Sequence, residues 1–318
     1  MHLQEKPLQK QSQEPSVLDT VEPEELGTPW EGKSRGSVLG YRIYVYLMHK
    51  LGLRFAYTLL YPVVLYFCFT SRKNVKALFY YLHKRQGYTY FKSWINVYRG
   101  YYVFGQSLID KFAIASGLKR WYSFSFDGRE EIEKVLEQKK GALLISAHVG
   151  NFQLSEFFFA ALKKALTVNL IVTDREKREI KEYLDNYLQK TEVNFILVED
   201  NISHIFEINA ALMRNEIVCI SGDRFMNISK CLEGDFLGKK ALFPAGPFLL
   251  GAKLNVPVLF VYVMRGGYKK YNLYAKKAAF KVGDENDLFD KYRTHLEQIL
   301  QKYPLQWFNY YDFWKTNQ

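Results

Sequence analysis

Of the six histidines (His2, His49, His83, His148, His204 and His295), only His148 closes a short apolar run, residues 141–146, and opens a Gly150-Asn151 turn. Such a run reads as a buried strand, and a side chain just past its end reaches a cleft. Imidazole titrates near neutrality, so a histidine there suits proton transfer. A histidine acting as base wants a carboxylate to hold its ring and stabilise the cation. The position five residues on is Gln153, an amide that can accept a hydrogen bond but carries no charge. Three explanations stand. Another acid substitutes, with Asp223 favoured over Glu156; the reaction tolerates a neutral partner; or the chain has lost catalysis. His2 falls in a polar tail, while His204 and His295 lie in amphipathic helical stretches and read as structural.

Asp223 sits beyond a second apolar run, 217–221, in Gly222-Asp223-Arg224. Arg224, Lys239 and Lys240 are candidate anion binders. Asp223 and Arg224 also read as a simple ion pair. Pro244-Ala245-Gly246-Pro247 precedes a helical stretch whose first turn suits an anion, though Pro and Gly there equally serve to fix the loop. Phosphate-loop, dinucleotide and nucleophile-elbow signatures are absent. Cys68, Cys219 and Cys231 form no CxxC pair and no zinc spacing, and nothing about them demands an oxidising compartment. No cofactor or metal is implied.

The elements around these residues alternate. Short strands are expected at 141–146, 168–173, 193–198, 217–221, 256–264 and 271–278. Helices are expected at 151–164, 174–190, 203–214, 247–254 and 287–303. Asp127-Gly128-Arg129-Glu130 reads as a capping box opening a helix to about 138. The pattern predicts an α/β fold, a mostly parallel mixed sheet flanked by helices, with sites beyond the C-terminal strand ends. Residues 1–33 are rich in Gln, Glu, Pro and Ser and read as a flexible tail. Residues 34–126 read as an N-terminal helical, membrane-associating region, and 127–318 as the α/β domain.

The chain carries 44 basic and 33 acidic residues and 17% aromatics. Residues 1–30 hold six acids against two lysines, so the rest is strongly basic. From 71 to 120 ten basic residues face one acid, Asp110. Beside an apolar run, that field suits an anionic membrane surface better than nucleic acid. The run, 51–69, carries one charge, Arg54, contains Pro62 and has basic residues on both sides. A spanning helix needs about 20 apolar residues. The run therefore reads as an interfacial or re-entrant helix, with a packed core helix as the alternative. No secretory signal precedes it, so the catalytic part is expected to face the cytoplasm.

The segment His148-Val149-Gly150-Asn151-Phe152-Gln153 resembles the His-plus-acid signature of the lysophospholipid acyltransferase superfamily. The branch is similar to the late lipid A (lauroyl/myristoyl) acyltransferases, near predicted acyltransferases of aryl polyene and flexirubin clusters. Further blocks match in order: Gly222-Asp223-Arg224; Phe236-Leu237-Gly238 with Phe243-Pro244-Ala245-Gly246-Pro247; and Tyr303-Pro304 with Trp307 and Trp314. Trp30-Glu31-Gly32 and Ser34-Arg35-Gly36-Ser37 match the pigment-cluster relatives, and Gln153 stands where the family writes an acid. The resemblance implies acyl transfer from an acyl carrier protein or coenzyme A thioester to a lipid-like acceptor, at the cytoplasmic face of the inner membrane. It implies His148 as base, with Asp223, Gln153 or Glu156 as its partner. Gly150, Asn151, Arg224, Lys239 and Gly246 would bind substrate, with backbone N–H groups near Asn151 serving the oxyanion. The alternative it leaves is a catalytically impaired, lipid-binding relative.

Overall fold

The computed structural model describes residues 46, 50–155, 167–172, 193–198, 203–225 and 230–314. The expected tail at 1–33, the helix at 174–190 and Glu156 lie outside these residues. So does the helix at 151–164 beyond residue 155; its described start is one 3₁₀ turn, Phe152–Ser155.

A seven-stranded sheet organises the chain. Its strands are β1 (Ser123–Asp127), β2 (Ala142–Ser146), β3 (Val168–Val172), β4 (Val193–Leu197), β5 (Ile217–Ser221), β8 (Val258–Gly267) and β9 (Lys270–Lys277), while β6 (Cys231–Phe236) and β7 (Lys239–Pro244) form a separate hairpin. The order across the sheet is β1-β9-β8-β2-β5-β3-β4. β8, β2, β5, β3 and β4 are parallel; β9 returns antiparallel to β8, and β1 follows β9. The fold is therefore α/β with a mostly parallel mixed sheet, as the alternation predicts.

Burial follows the period of two along strands. Leu143 and Ile145 of β2 join one apolar layer, and Ala142 and Leu144 join the other. The first layer is closed by α7 (Glu285–Lys302) through Leu288, Phe289, Tyr292 and Leu296, and by α6 (Gly246–Lys253) through Phe248. The second is closed by α4 (Arg129–Glu137) through Ile132, Val135 and Leu136. Asp284 caps α7, accepting from the backbone N–H groups of Asn286 and Asp287.

Three local features differ from the sequence reading. The N-cap of α4 is Gly128 at φ 82°, with no side-chain cap, so the expected capping box does not form. Asp127 instead ends β1, and a Cβ at Gly128 would lie 1.7 Å from the Ala275 carbonyl oxygen. Sequence reading also passed over β1, whose residues alternate half-buried and exposed at the sheet edge. The motif residues at 236–247 fold in part as the β6–β7 hairpin. Leu237 and Gly238 both adopt positive φ, 50° and 77°, and make its two-residue turn between paired Phe236 and Lys239.

The N-terminal helices pack onto these layers. They are α1 (Lys50–Thr70), α2 (Arg72–Tyr80) continuing into a π-helical turn at Tyr81–Arg85, α3 (Tyr90–Ala115) and a 3₁₀ turn at Leu118–Trp121; α5 (Ser203–Met213), far later in the chain, packs on β4 and β5. Pro62 does not break α1; it falls in the first turn after a local irregularity at Leu59, where its missing N–H costs little. A single buried carboxylate, Asp110 on α3, gathers the layers. It accepts from Tyr57 of α1, from Tyr122 at 2.8 Å, and from Tyr271 of β9 at 2.7 Å, and it pairs with Arg265 of β8 at 3.1 Å. Burial, and then the Asp110 charge, push the Tyr122 and Tyr271 phenols above their ordinary values, which keeps them protonated as donors. Asp110→Ala is expected to cost about 3–5 kcal/mol, because Arg265 would stay buried without its partner. Urea unfolding followed by circular dichroism measures the loss.

Candidate active site

Parallel pairing of β2 with β5 sets Ser146 beside Ser221. The same register carries two residues past each strand end and brings His148 level with Asp223. Both stand beyond C-terminal strand ends, where β2 has β5 on one side and β8 on the other.

Asp223 is fully buried, and among the described residues its carboxylate is met by N–H donors. One oxygen lies 2.7 Å from His148 Nδ1 and takes the His148 backbone N–H at 3.1 Å. The other takes that same N–H at 3.0 Å, the Trp307 indole N–H at 3.1 Å and the Asn309 amide at 3.4 Å. Arg224 is the lock behind Asn309: its Nε donates to Asn309 Oδ1 at 3.0 Å and its Nη2 to the Phe308 carbonyl at 3.2 Å. A guanidinium only donates, so Asn309 must turn its oxygen to Arg224 and its NH₂ to Asp223. Burial alone would raise the Asp223 pKa, but the His148 ring, its hydrogen bonds and the Arg224 charge outweigh it and hold the carboxyl below its ordinary value.

The turn after His148 is fixed by backbone. Gly150 has φ 60°, and a Cβ there would meet the Val263 carbonyl oxygen at 2.1 Å, so only glycine fits. Its N–H donates to the Gln306 carbonyl at 2.8 Å, and the Asn151 N–H donates to the Val263 carbonyl at 2.7 Å. The Asn151 side chain is buried and donates to the Ser107 carbonyl of α3 at 2.9 Å. These two amides are therefore engaged inside the protein and are not themselves available to an oxyanion. The C-terminal segment closes the other side, with Val149 bridging to Trp307 and Phe308 N–H donating to the His148 carbonyl at 3.0 Å.

Among the predicted site residues the structure joins His148, Asp223, Gly150, Asn151 and Arg224 in one cluster. Gln153 lies in the 3₁₀ turn just after it. Lys239 begins β7 and Gly246 begins α6; neither hydrogen-bonds His148 or Asp223 among the described contacts. Lys240 is paired with Glu233 at 2.9 Å on the exposed hairpin. Sequence reasoning missed Asn309, and took Trp307 only as part of a motif. No spacing could reveal them, since they meet Asp223 across more than 80 residues.

A strand-end histidine held by a buried carboxylate in an open α/β sheet is an arrangement chemically able to move a proton. The bacterial lipid A biosynthesis acyltransferase family model matches residues 93–316. The chain belongs to that family and is an acyltransferase. No curated protein matches it.

The depressed Asp223 pKa has a signed consequence. A carboxyl whose pKa is lower folded than unfolded adds stability above its unfolded pKa, and that stability is lost as pH falls through the folded value. The wild-type protein is expected to lose stability as pH drops below about 5. Asp223→Asn, which cannot titrate, should lose less over the same interval. Urea midpoints measured against pH compare the two.

Proposed function

We propose that the protein moves an acyl chain from an acyl carrier protein or coenzyme A thioester to a hydroxyl or amine of a lipid-like acceptor, with His148 as general base and Asp223 as its carboxylate partner. The observation carrying this reading is the 2.7 Å contact between His148 Nδ1 and buried Asp223. It fixes the ring so that Nε2 is the nitrogen that takes the acceptor's proton. The deprotonated oxygen or nitrogen attacks the thioester carbonyl carbon, the C–S bond breaks, and the leaving sulfur regains the proton from the imidazolium. Asp223 stabilises that cation without itself taking the proton.

In this reading Asp223 performs the task of the acid missing at Gln153, and Trp307, Asn309 and Arg224 hold Asp223 in place. The guanidinium hydrogens that Arg224 does not spend on Asn309 and Phe308 serve an anionic substrate group, with Lys239 and the Gly246 turn at the approach. Within the wider lysophospholipid acyltransferase superfamily, the motif blocks favour the branch near the pigment-cluster relatives. The apolar helix Lys50–Thr70 and the basic stretch after it support work at a membrane, and the proposal puts that work on the cytoplasmic side. The reading keeps a tail at 1–33, a membrane-associating helical region at 34–126 and the acyltransferase domain at 127–318. The family match begins at residue 93, so α3 is common to both of the last two.

The test is consumption of acyl carrier protein and coenzyme A thioesters with a lipid extract. His148→Ala is expected to lose essentially all turnover. Asp223→Asn should lose about 10²–10⁴-fold while remaining folded, by analogy with an amide in place of a triad carboxylate. Gln153→Glu should change the rate by less than about tenfold. Wild-type rates in Asp223→Asn would reject the pairing. Activity only in Gln153→Glu would instead identify an impaired, lipid-binding relative, the reading that Gln153 itself favours.

A further inference from the structure

The helix Lys50–Thr70 has 21 residues, about 32 Å at 1.5 Å per residue, and so matches the hydrocarbon core of a bilayer. It is the one helix among the described residues long and apolar enough to cross a membrane. Its packing points elsewhere. Leu53, Ala56, Tyr57 and Val64 are buried, and Leu60 and Cys68 pack against the core, a stripe at helical spacing from the first turn to the last. That stripe lies along α3. The Tyr57 hydroxyl reaches Asp110, Leu60 fills the space over Gly105, and Tyr61 stacks on Tyr102 at 4.9 Å. Tyr98 and Tyr102 hydroxyls donate to the Tyr61 and Tyr57 carbonyls, each at 3.2 Å.

The order of these contacts makes α1 and α3 antiparallel, which brings the end of α1 toward the start of α3. Both ends are exposed and apolar there: Tyr66 and Phe69 (71% exposed) on α1, Phe91 (79%) and Ile95 (60%) on α3. Phe79 of α2 packs on Tyr90 and Trp94 behind them, at 5.4 and 4.7 Å. No acidic residue occurs from Leu51 to Ile109, whereas Arg72, Lys73, Lys76, Lys84, Lys92 and Arg99 are exposed around this edge.

We infer that α1 does not cross the bilayer but lies within one leaflet, and that the aromatic start of α3 docks beside it on an anionic lipid surface. Crossing would drag α3 into hydrocarbon, or strip α1 from Asp110. α3 buries Asn96, Gln106, Ser107, Asp110 and Lys111, a polar set unsuited to that medium. An in-plane helix instead sinks the face that is exposed among the described residues, including Phe55, Leu59, Val63 and Phe67, while Lys and Arg stay at the headgroups. This inference rests on the membrane association proposed above and is independent of which residues carry out acyl transfer.

Two measurements test it on the full chain. In a background with Cys68, Cys219 and Cys231 replaced by Ala, Lys50→Cys and Lys73→Cys are introduced singly. The proteins are bound to sealed phosphatidylglycerol–phosphatidylcholine vesicles and exposed to an impermeant maleimide from outside. Both positions are expected to react from the side of addition; reaction of only one would overturn the inference and make α1 a span. Separately, Phe91→Glu with Ile95→Glu should lower flotation with these vesicles by about tenfold or more. Unchanged flotation would overturn the docking role of α3, and would assign the face to a second copy if the same substitutions dissolved a dimer. Failure of the wild-type protein to bind vesicles would overturn both this inference and membrane association, leaving the acyl-transfer assay unaffected.

Discussion

The parallel register of β2 on β5 is the constraint on which the site depends. Pairing Ser146 with Ser221 leaves no choice about what stands opposite His148 two residues later. A slip of one residue would turn every side chain of β2 to the other face, and Leu143 and Ile145 would lose the aromatic layer that holds them. The hydrophobic pattern of the central strands thus fixes the partner of a polar side chain that is not itself part of the pattern.

A buried charge is tolerable only when it is met by donors, and both buried carboxylates obey that rule in different ways. Asp223 is surrounded by N–H groups from its partner histidine and from the C-terminal segment, so the last residues of the chain become part of the site's electrostatics. Asp110 is surrounded by three phenols and a guanidinium drawn from α1, β8, β9 and the segment before β1. It connects the apolar N-terminal helix to the sheet. The two centres meet through neighbouring residues on the same elements: α3 supplies both Asp110 and the Ser107 carbonyl held by Asn151, and β8 supplies both Arg265 and the Val263 carbonyl beside Gly150.

This arrangement gives the N-terminal helix two roles. One face is part of the protein core, bonded to the layer that positions the motif turn. The other is apolar and, among the described residues, exposed, beside a stretch of chain with no acidic residue. Under the proposed reading, an enzyme that takes a lipid acceptor from a leaflet gains from such coupling, since the helix proposed to contact lipid is also packed against the element that carries Asn151's partner.

The sequence by itself determined the alternation of strands and helices, the strand end that presents His148, and Asp223 as a candidate partner, because these follow from hydrophobic period and local turn chemistry. Gly150 was legible as a motif glycine, but its reason, a carbonyl of β8 pressed against its Cα, belongs to the assembled sheet. The capping box at Asp127 failed because that residue is claimed by strand pairing, and tertiary pairing outweighs a local cap. The hairpin turn at Leu237-Gly238 was readable in principle but was obscured by its resemblance to a motif. Trp307 and Asn309, the Asp110 cluster and the burial of one face of α1 were decided only in three dimensions. Each joins residues tens to more than two hundred positions apart, and no sequence spacing encodes such a meeting.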